Sequence, residues 1–229
     1  MSSNPCKTMG AEKSRLRLQQ LFAIAPVVPV ITIQDARHAV PLSRALTAGG
    51  LPVIEITLRT EAALDAARAI VAEVPDAIVG IGTVLSSSDL ETAARMGAAF
   101  AISPGQSSEL LAAAASSELP FVPGIQTASD LMACVARGFD LVKFFPAVPA
   151  GGLAALNALN GPFPNVRYCP TGGIGQDNAP QWLAHPSVVA VGGSWVAPAS
   201  DIAAGNWDSI EARARGAAAL ARNTPHSRS

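Results

Sequence analysis

Cysteine is scarce in this chain, with three residues, Cys6, Cys134 and Cys169, in 229. A disulfide framework is excluded, and the three read as reduced thiols of a cytosolic protein. Charge is sparse at 14% and nearly balanced, 16 basic residues against 17 acidic ones, for a formal net charge of −1. That balance leaves no basic face for nucleic acid. Long apolar runs are missing too. The stretch 21–33 follows Lys13, Arg15 and Arg17 as the core of a signal peptide would, yet Pro26 and Pro29 interrupt it and no small-residue cleavage pattern follows. It is also too short to span a bilayer. A soluble, cytoplasmic protein is expected, without membrane or nucleic-acid partners.

What the chain has is apolar residues, 49% of the total, enough to exclude disorder and to bury a full core. Short β-branched runs recur at 26–33, 52–59, 77–84, 98–104, 120–127, 141–146, 166–173 and 188–195. Their spacing of roughly 20 to 25 residues matches one strand plus one helix. Helix punctuation falls between them. Asp35 and Gly49-Gly50 bracket one segment, 86–89 opens another that Gly97 stops, and 127–130 opens a third that Gly138 closes. Eight strands alternating with helices predict a parallel α/β sheet closed into a (β/α)8 TIM barrel. An open doubly wound sheet would show a glycine-rich turn after its first strand, and Ile33-Gln34-Asp35 has none. The segment 11–22 reads as an extra N-terminal helix, with Leu18, Leu21 and Phe22 on an apolar side suited to closing the barrel's bottom. No linker divides the chain, so 1–229 is expected to be a single domain, with 1–15 and 223–229 as flexible polar tails.

Two strands carry charges where a barrel should be apolar. Along the second run, the period of two places Ile54, Ile56 and Leu58 on the face toward the helices. Glu55, Thr57 and Arg59 then point inward together. A carboxylate there is costly unless paired or useful, and the structural alternative is a Glu55–Arg59 ion pair. In the sixth run Lys143 shares a face with Leu141 and Phe145. It could snorkel outward or pair with an acid. Held among apolar groups, a lysine loses solvation of its ammonium, and the free amine can attack a ketone to form a Schiff base. Glycines mark three strand ends: 80–83 finishing in Thr83, 170–174 with Gly172-Gly173 after Thr171, and Gly192-Gly193-Ser194. The last two fall where barrels usually bind phosphate through backbone N–H groups.

The motifs VVPVI, IEITLRTEAAL, VGIGTVL, FAISPG, PGIQTASDLM, VKFFPA, RYCPTGGI and VGGSWVAP resemble those of bacterial 2-keto-3-deoxy-6-phosphogluconate (KDPG) aldolases. The resemblance runs from about Pro26 to about Ala221. It implies a (β/α)8 barrel, usually a homotrimer, that cleaves a 2-keto-3-deoxy-6-phospho sugar acid reversibly into pyruvate and glyceraldehyde 3-phosphate. The chemistry implied is a lysine Schiff base, with no cofactor and no metal. On the family's motifs the lysine falls on Lys143 and the general acid/base on Glu55, while the arginine that holds the pyruvate carboxylate falls on Arg59. Further substrate contacts fall on Thr83, Pro104, Phe145 and Thr171, and phosphate contacts on Gly172, Gly173, Gly193 and Ser194. Gln126 and the stretch 175–177 depart from the family pattern.

A metal-dependent pyruvate aldolase would need ligands gathered at strand ends. His38 and His185, expected on helix surfaces, and His226 in the tail do not supply them. Two other readings stay open at this point. Aldolases for the galactonate epimer or for 4-hydroxy-2-oxoglutarate share the lysine, glutamate and arginine, and a non-catalytic barrel could use the phosphate loops alone.

Overall fold

The computed structural model describes the backbone of residues 5–221 and the side chains of 13–221. Among them, nine short strands alternate with helices: β1 (Val27–Ile31), β2 (Val53–Thr57), β3 (Ile78–Gly82), β4 (Phe100–Ile102), β5 (Phe121–Val122), β6 (Gly124–Ile125), β7 (Leu141–Phe144), β8 (Arg167–Pro170) and β9 (Val191–Gly193). The helices are α1 (Pro5–Ile24), α2 (Ala39–Ala48), α3 (Ala63–Glu73), α4 (Ser87–Arg95), α5 (Ser108–Ser116), α6 (Ala128–Val135), α7 (Gly152–Asn160), α8 (Ala179–Leu183), α9 (Ala199–Ala204) and α10 (Trp207–Ala218).

The fold is α/β, with six parallel strands curled into one sheet in the order β5-β4-β3-β2-β1-β9 and three in a second, β6-β7-β8. Eight unbroken strands in one closed barrel were expected, and the difference has two sources. Pro123 lacks the N–H that a ladder needs, so the run 120–127 breaks there. β5 pairs with β4, and β6 pairs with β7. The Pro123 carbonyl still accepts from the Lys143 N–H at 2.9 Å. At the other junction no continuous ladder forms: the isolated bridges Tyr168–Val188 and Thr171–Gly192 join the edges of the two sheets, with the Val189 N–H donating to the Tyr168 carbonyl at 3.0 Å.

The alternation along each strand divides the interior in two. Ile54 and Ile56 of β2 are fully buried in the large core between sheet and helices. Val53, one step out of phase, joins Val28, Phe100, Ile102, Val122, Leu141 and Cys169 in a second core inside the curl. Helix α1 plugs this inner core with Leu18 and Phe22. Phe22 meets Phe100 edge-to-face, centroids 5.6 Å apart, a geometry that aromatic quadrupoles favour. The helix begins at Pro5 rather than at position 11, so part of the stretch expected as a tail is helical. The tails 1–4 and 223–229 lie outside the described residues.

Helix starts follow local hydrogen bonding. Ser86 with Asp89, and Thr127 with Asp130, form reciprocal capping boxes on α4 and α6. Asp35 caps a short 3-10 turn, Ala36–His38, that precedes α2 rather than α2 itself. His38 lies half-buried edge-on to Trp207, centroids 5.8 Å apart. Cys134 and Cys169 are free and buried, and desolvation pushes both thiols up to about 12. Thiols so displaced are inert at neutral pH. Among the described residues, no helix is long and apolar enough to cross a membrane.

Candidate active site

Glu55 sits in the middle of β2, Lys143 in β7. Their side chains, 2% and 3% exposed, meet inside the curl with Lys143 Nζ donating to Glu55 Oε1 at 2.9 Å. The partner of Glu55 is thus Lys143, not Arg59. Two small neighbours give the pair its room. A Cβ at Gly82 on the neighbouring β3 would collide with the Glu55 carboxylate, and the space beside Lys143 on β8 is taken by the small Cys169. Burying both charges is expensive, so a pair this dry persists only while each charge compensates the other. The ammonium also lies 5.4 Å from the Phe145 ring centroid, a cation–π contact.

Above the pair opens a cavity of about 330 Å³. Lys143 forms part of its floor and Phe145 part of its wall. Thr171, Gly172 and Gly173 enter from the end of β8, and Gly193 and Ser194 from the end of β9. Arg59, exposed just beyond β2, lines the opposite side. Its Nε donates to Thr83 Oγ1 at 3.2 Å, which leaves the terminal N–H groups of the guanidinium for a ligand. Thr83 has φ of +60°, alone among the described non-glycine residues in the left-handed region. Strain of that kind costs about 1 kcal/mol or more, and here it turns the hydroxyl under Arg59 at the point where β3 ends.

The loop after β8 has a similar origin. Gly172 and Gly173 have φ of +102° and +77°, which side chains with a Cβ rarely adopt. Thr171 is buried, and a Cβ at Gly192 on β9 would strike its hydroxyl. The two strand-end loops can therefore close on each other with backbone facing the cavity.

Of the residues singled out from sequence, Lys143, Arg59, Phe145, Thr171, Gly172, Gly173, Gly193 and Ser194 share this one cavity. Glu55 lies beneath it against Lys143, and Thr83 joins through Arg59. Pro104 does not line the cavity; its backbone packs so tightly against Gly124 that no Cβ would fit there. Sequence reasoning missed Val30 and Thr32 at the end of β1, and Ala197, Pro198, Ala199 and Ile202 from the segment after β9. The period-two pattern of β1 carried the signal for Thr32, a hydroxyl in phase with the inward Val28. The other histidine in the described region, His185, binds Asn157 and the Ser187 N–H, away from the cavity. Among the described residues no three His, Cys, Asp or Glu side chains converge as metal ligands.

Comparison with known proteins agrees with this geometry. A sequence model of the KDPG and KHG aldolase family matches residues 18–213. The chain is 49% identical over 201 residues to a 2-dehydro-3-deoxy-phosphogluconate aldolase of Pseudoalteromonas atlantica, covering 88% of this chain and 94% of that one. It is 50% identical over 197 residues to the KHG/KDPG aldolase of Escherichia coli, covering 86% and 92%. The crystal structure of the KDPG aldolase from Legionella pneumophila, with pyruvate captured as a covalent carbinolamine, superimposes with a TM-score of 0.86 at 43% identity, over 88% and 98% of the two chains. The matched span takes in every strand that builds the cavity, and the chain belongs to the KDPG and KHG aldolase family, lyases of the aldolase class.

Proposed function

We propose that this chain cleaves 2-keto-3-deoxy-6-phosphogluconate reversibly into pyruvate and glyceraldehyde 3-phosphate, through a Schiff base on Lys143. The observation that carries the reading is the buried 2.9 Å contact between Lys143 Nζ and Glu55 Oε1 beneath the cavity. A nucleophilic amine must first lose a proton, and the carboxylate at hydrogen-bond distance is the base that takes it. The amine adds to the C2 ketone, forming the C–N bond of a carbinolamine. Glu55 then returns the proton to the leaving hydroxyl, and water departs as the iminium forms. That water relays the C4 hydroxyl proton to Glu55 while the C3–C4 bond breaks and its electrons enter the enamine. Glu55 returns the proton to C3, and hydrolysis of the pyruvyl iminium frees pyruvate and regenerates the amine.

Arg59 anchors the keto-acid carboxylate through the fork of donors that its Thr83 bond leaves free. Phe145 and Thr171 flank the imine, Pro104 supports the wall from behind, and Gly172, Gly173, Gly193 and Ser194 hold the 6-phosphate. The ligands of two related enzymes support the substrate class: the covalent pyruvate carbinolamine of the Legionella pneumophila enzyme, and the 3-phosphoglycerate present with the Zymomonas mobilis aldolase, 43% identical with a TM-score of 0.86. A barrel that only bound a phosphorylated metabolite would have no use for a dry lysine–glutamate pair. The test is borohydride reduction in the presence of pyruvate. One pyruvyl group should be fixed on the peptide holding Lys143, and label elsewhere, or none, would refute the assignment.

The bridges Tyr168–Val188 and Thr171–Gly192, with the handover at Pro123, support reading the two sheets as one closed (β/α)8 barrel in a single domain. A homotrimer in the cytoplasm is the assembly proposed, from the family resemblance. Exposed apolar side chains such as Leu85, Met132 and Val135 are available to an interface, and a light-scattering mass of one chain would refute it.

A further inference from the structure

We infer that Thr32 is a specificity-determining residue, an obligate hydrogen-bond acceptor that selects aldehydes carrying a hydroxyl next to the carbonyl. The inference deepens the aldolase reading and rests on it. Thr32 follows the end of β1, half-buried, and lines the cavity. Its Oγ1 lies 2.9 Å from Thr57 Oγ1, and which of the two hydroxyls donates is settled one bond further on. Thr57 Oγ1 is 3.0 Å from the Ile31 carbonyl oxygen. A carbonyl only accepts, so the single Thr57 proton is committed to it. Thr57 must then accept from Thr32, whose own proton is spent in turn. What Thr32 can offer the cavity is lone pairs.

The strand end is held so that this polarity persists. Thr57 ties down the carbonyl of Ile31, just before Thr32, and Thr60 Oγ1 donates to the carbonyl of Ile33, just after it, at 2.5 Å. Bonds on both sides fix the backbone that aims the Thr32 side chain. Each of these links is buried or half-buried, so water competes poorly for it.

Position around the sheet indicates which substrate hydroxyl would donate. β1 lies between β9 and β2. The proposed phosphate loop Gly193–Ser194 is at the end of β9, and the carboxylate-binding Arg59 is just beyond β2. Thr32 therefore faces the middle of a chain stretched between those two anchors. The C4 hydroxyl passes its proton toward Glu55, and C3 bears no oxygen. The C5 hydroxyl is the donor left, and it becomes the hydroxyl next to the carbonyl of glyceraldehyde 3-phosphate. A site built to pair with a hydroxyl rejects the analogue that lacks it, because the acceptor is then left unpaired.

The test compares two aldehydes in the synthetic direction, with pyruvate saturating: D-glyceraldehyde 3-phosphate and 3-phosphonooxypropanal, which lacks only the hydroxyl. The reading is the ratio of their kcat/KM values in each variant relative to the wild type, so differences in intrinsic reactivity cancel. Thr32→Val, nearly isosteric, should reduce the ratio roughly 3- to 10-fold, the worth of one neutral hydrogen bond. Thr32→Ser, which keeps the oxygen, should retain most of it. An unchanged ratio in Thr32→Val would overturn the proposal. So would an equal fall for both aldehydes, which would mark Thr32 as a purely structural residue. Failure of the aldolase reading itself would appear separately, as wild-type protein that exchanges no C3 hydrogen of pyruvate with deuterium oxide.

Discussion

Replacing Lys143 by Met separates what the buried pair does for chemistry from what it does for stability. Methionine fills nearly the same volume, so little is lost in packing. The loss falls on Glu55, which is left 2% exposed without its counter-ion. Two escapes are open to an isolated buried carboxylate. It can stay charged, and breaking a buried pair in this way costs about 3–5 kcal/mol. Alternatively it can take a proton from solvent. At pH 7 that costs about 1.4 kcal/mol for each pH unit above the ordinary glutamate value of about 4.3, or about 3.7 kcal/mol in all. The cheaper escape sets the size of the effect, so Lys143→Met should be destabilised by about 3–4 kcal/mol in urea unfolding at pH 7. A Tm lower by roughly 6–16 °C is equivalent for a domain of this length. In the variant the folded state holds the proton more tightly than the unfolded state does. The deficit should therefore shrink as pH falls, to under about 2 kcal/mol at pH 5.5. Adding Glu55→Leu removes the orphaned charge, and the double variant should return to within about 1 kcal/mol of wild type or exceed it, as buried pairs replaced by apolar groups often do. Both variants should be inactive. A Lys143→Met protein as stable as wild type at pH 7, or a double variant no better than the single one, would refute the view that this pair is retained for catalysis at a cost in stability.

Gly173→Val should abolish most of the preference for phosphorylated over non-phosphorylated substrate, at least about 10²-fold in wild type; with φ at +77° and a Cβ only 2.7 Å from that of Val148, the loop cannot keep its shape, and a retained preference in steady-state kinetics would show that it does not bind phosphate. Phe22→Ala empties the contact with Phe100 that plugs the inner core, and urea unfolding should show a loss of about 3–5 kcal/mol. His185 accepts the Ser187 N–H at Nδ1 and faces Asn157 at Nε2, and burial pulls it below the ordinary histidine range. Below about pH 6.5 the unfolded chain then binds the proton more readily than the folded one. Stability should fall as pH drops through that region, and His185→Gln should flatten this part of the pH profile.

What the sequence determined by itself is whatever depends on near neighbours. Alternation along β2 put Glu55 out of phase with Ile54 and Ile56, and alternation along β7 put Lys143 in phase with Leu141. The capping residues Ser86 and Thr127 marked helix starts through hydrogen bonds spanning three residues. Gly172-Gly173 marked a loop that needs positive φ. Each of these is a local preference, written in the residues that express it. Tertiary structure decided whatever depends on register between distant strands. Residues 55 and 143 are 88 apart in sequence, and no pattern within either strand says that Glu55 meets Lys143 while Arg59 turns to Thr83. Pro123 could be seen to lack an N–H, but its effect, a run divided between β4 and β7, needed both neighbours in place. The donor order from Thr32 to Thr57 to the Ile31 carbonyl likewise exists only when β1 lies beside β2. A hydrogen bond has a direction only once both of its partners are present, and here the whole sheet brings them together.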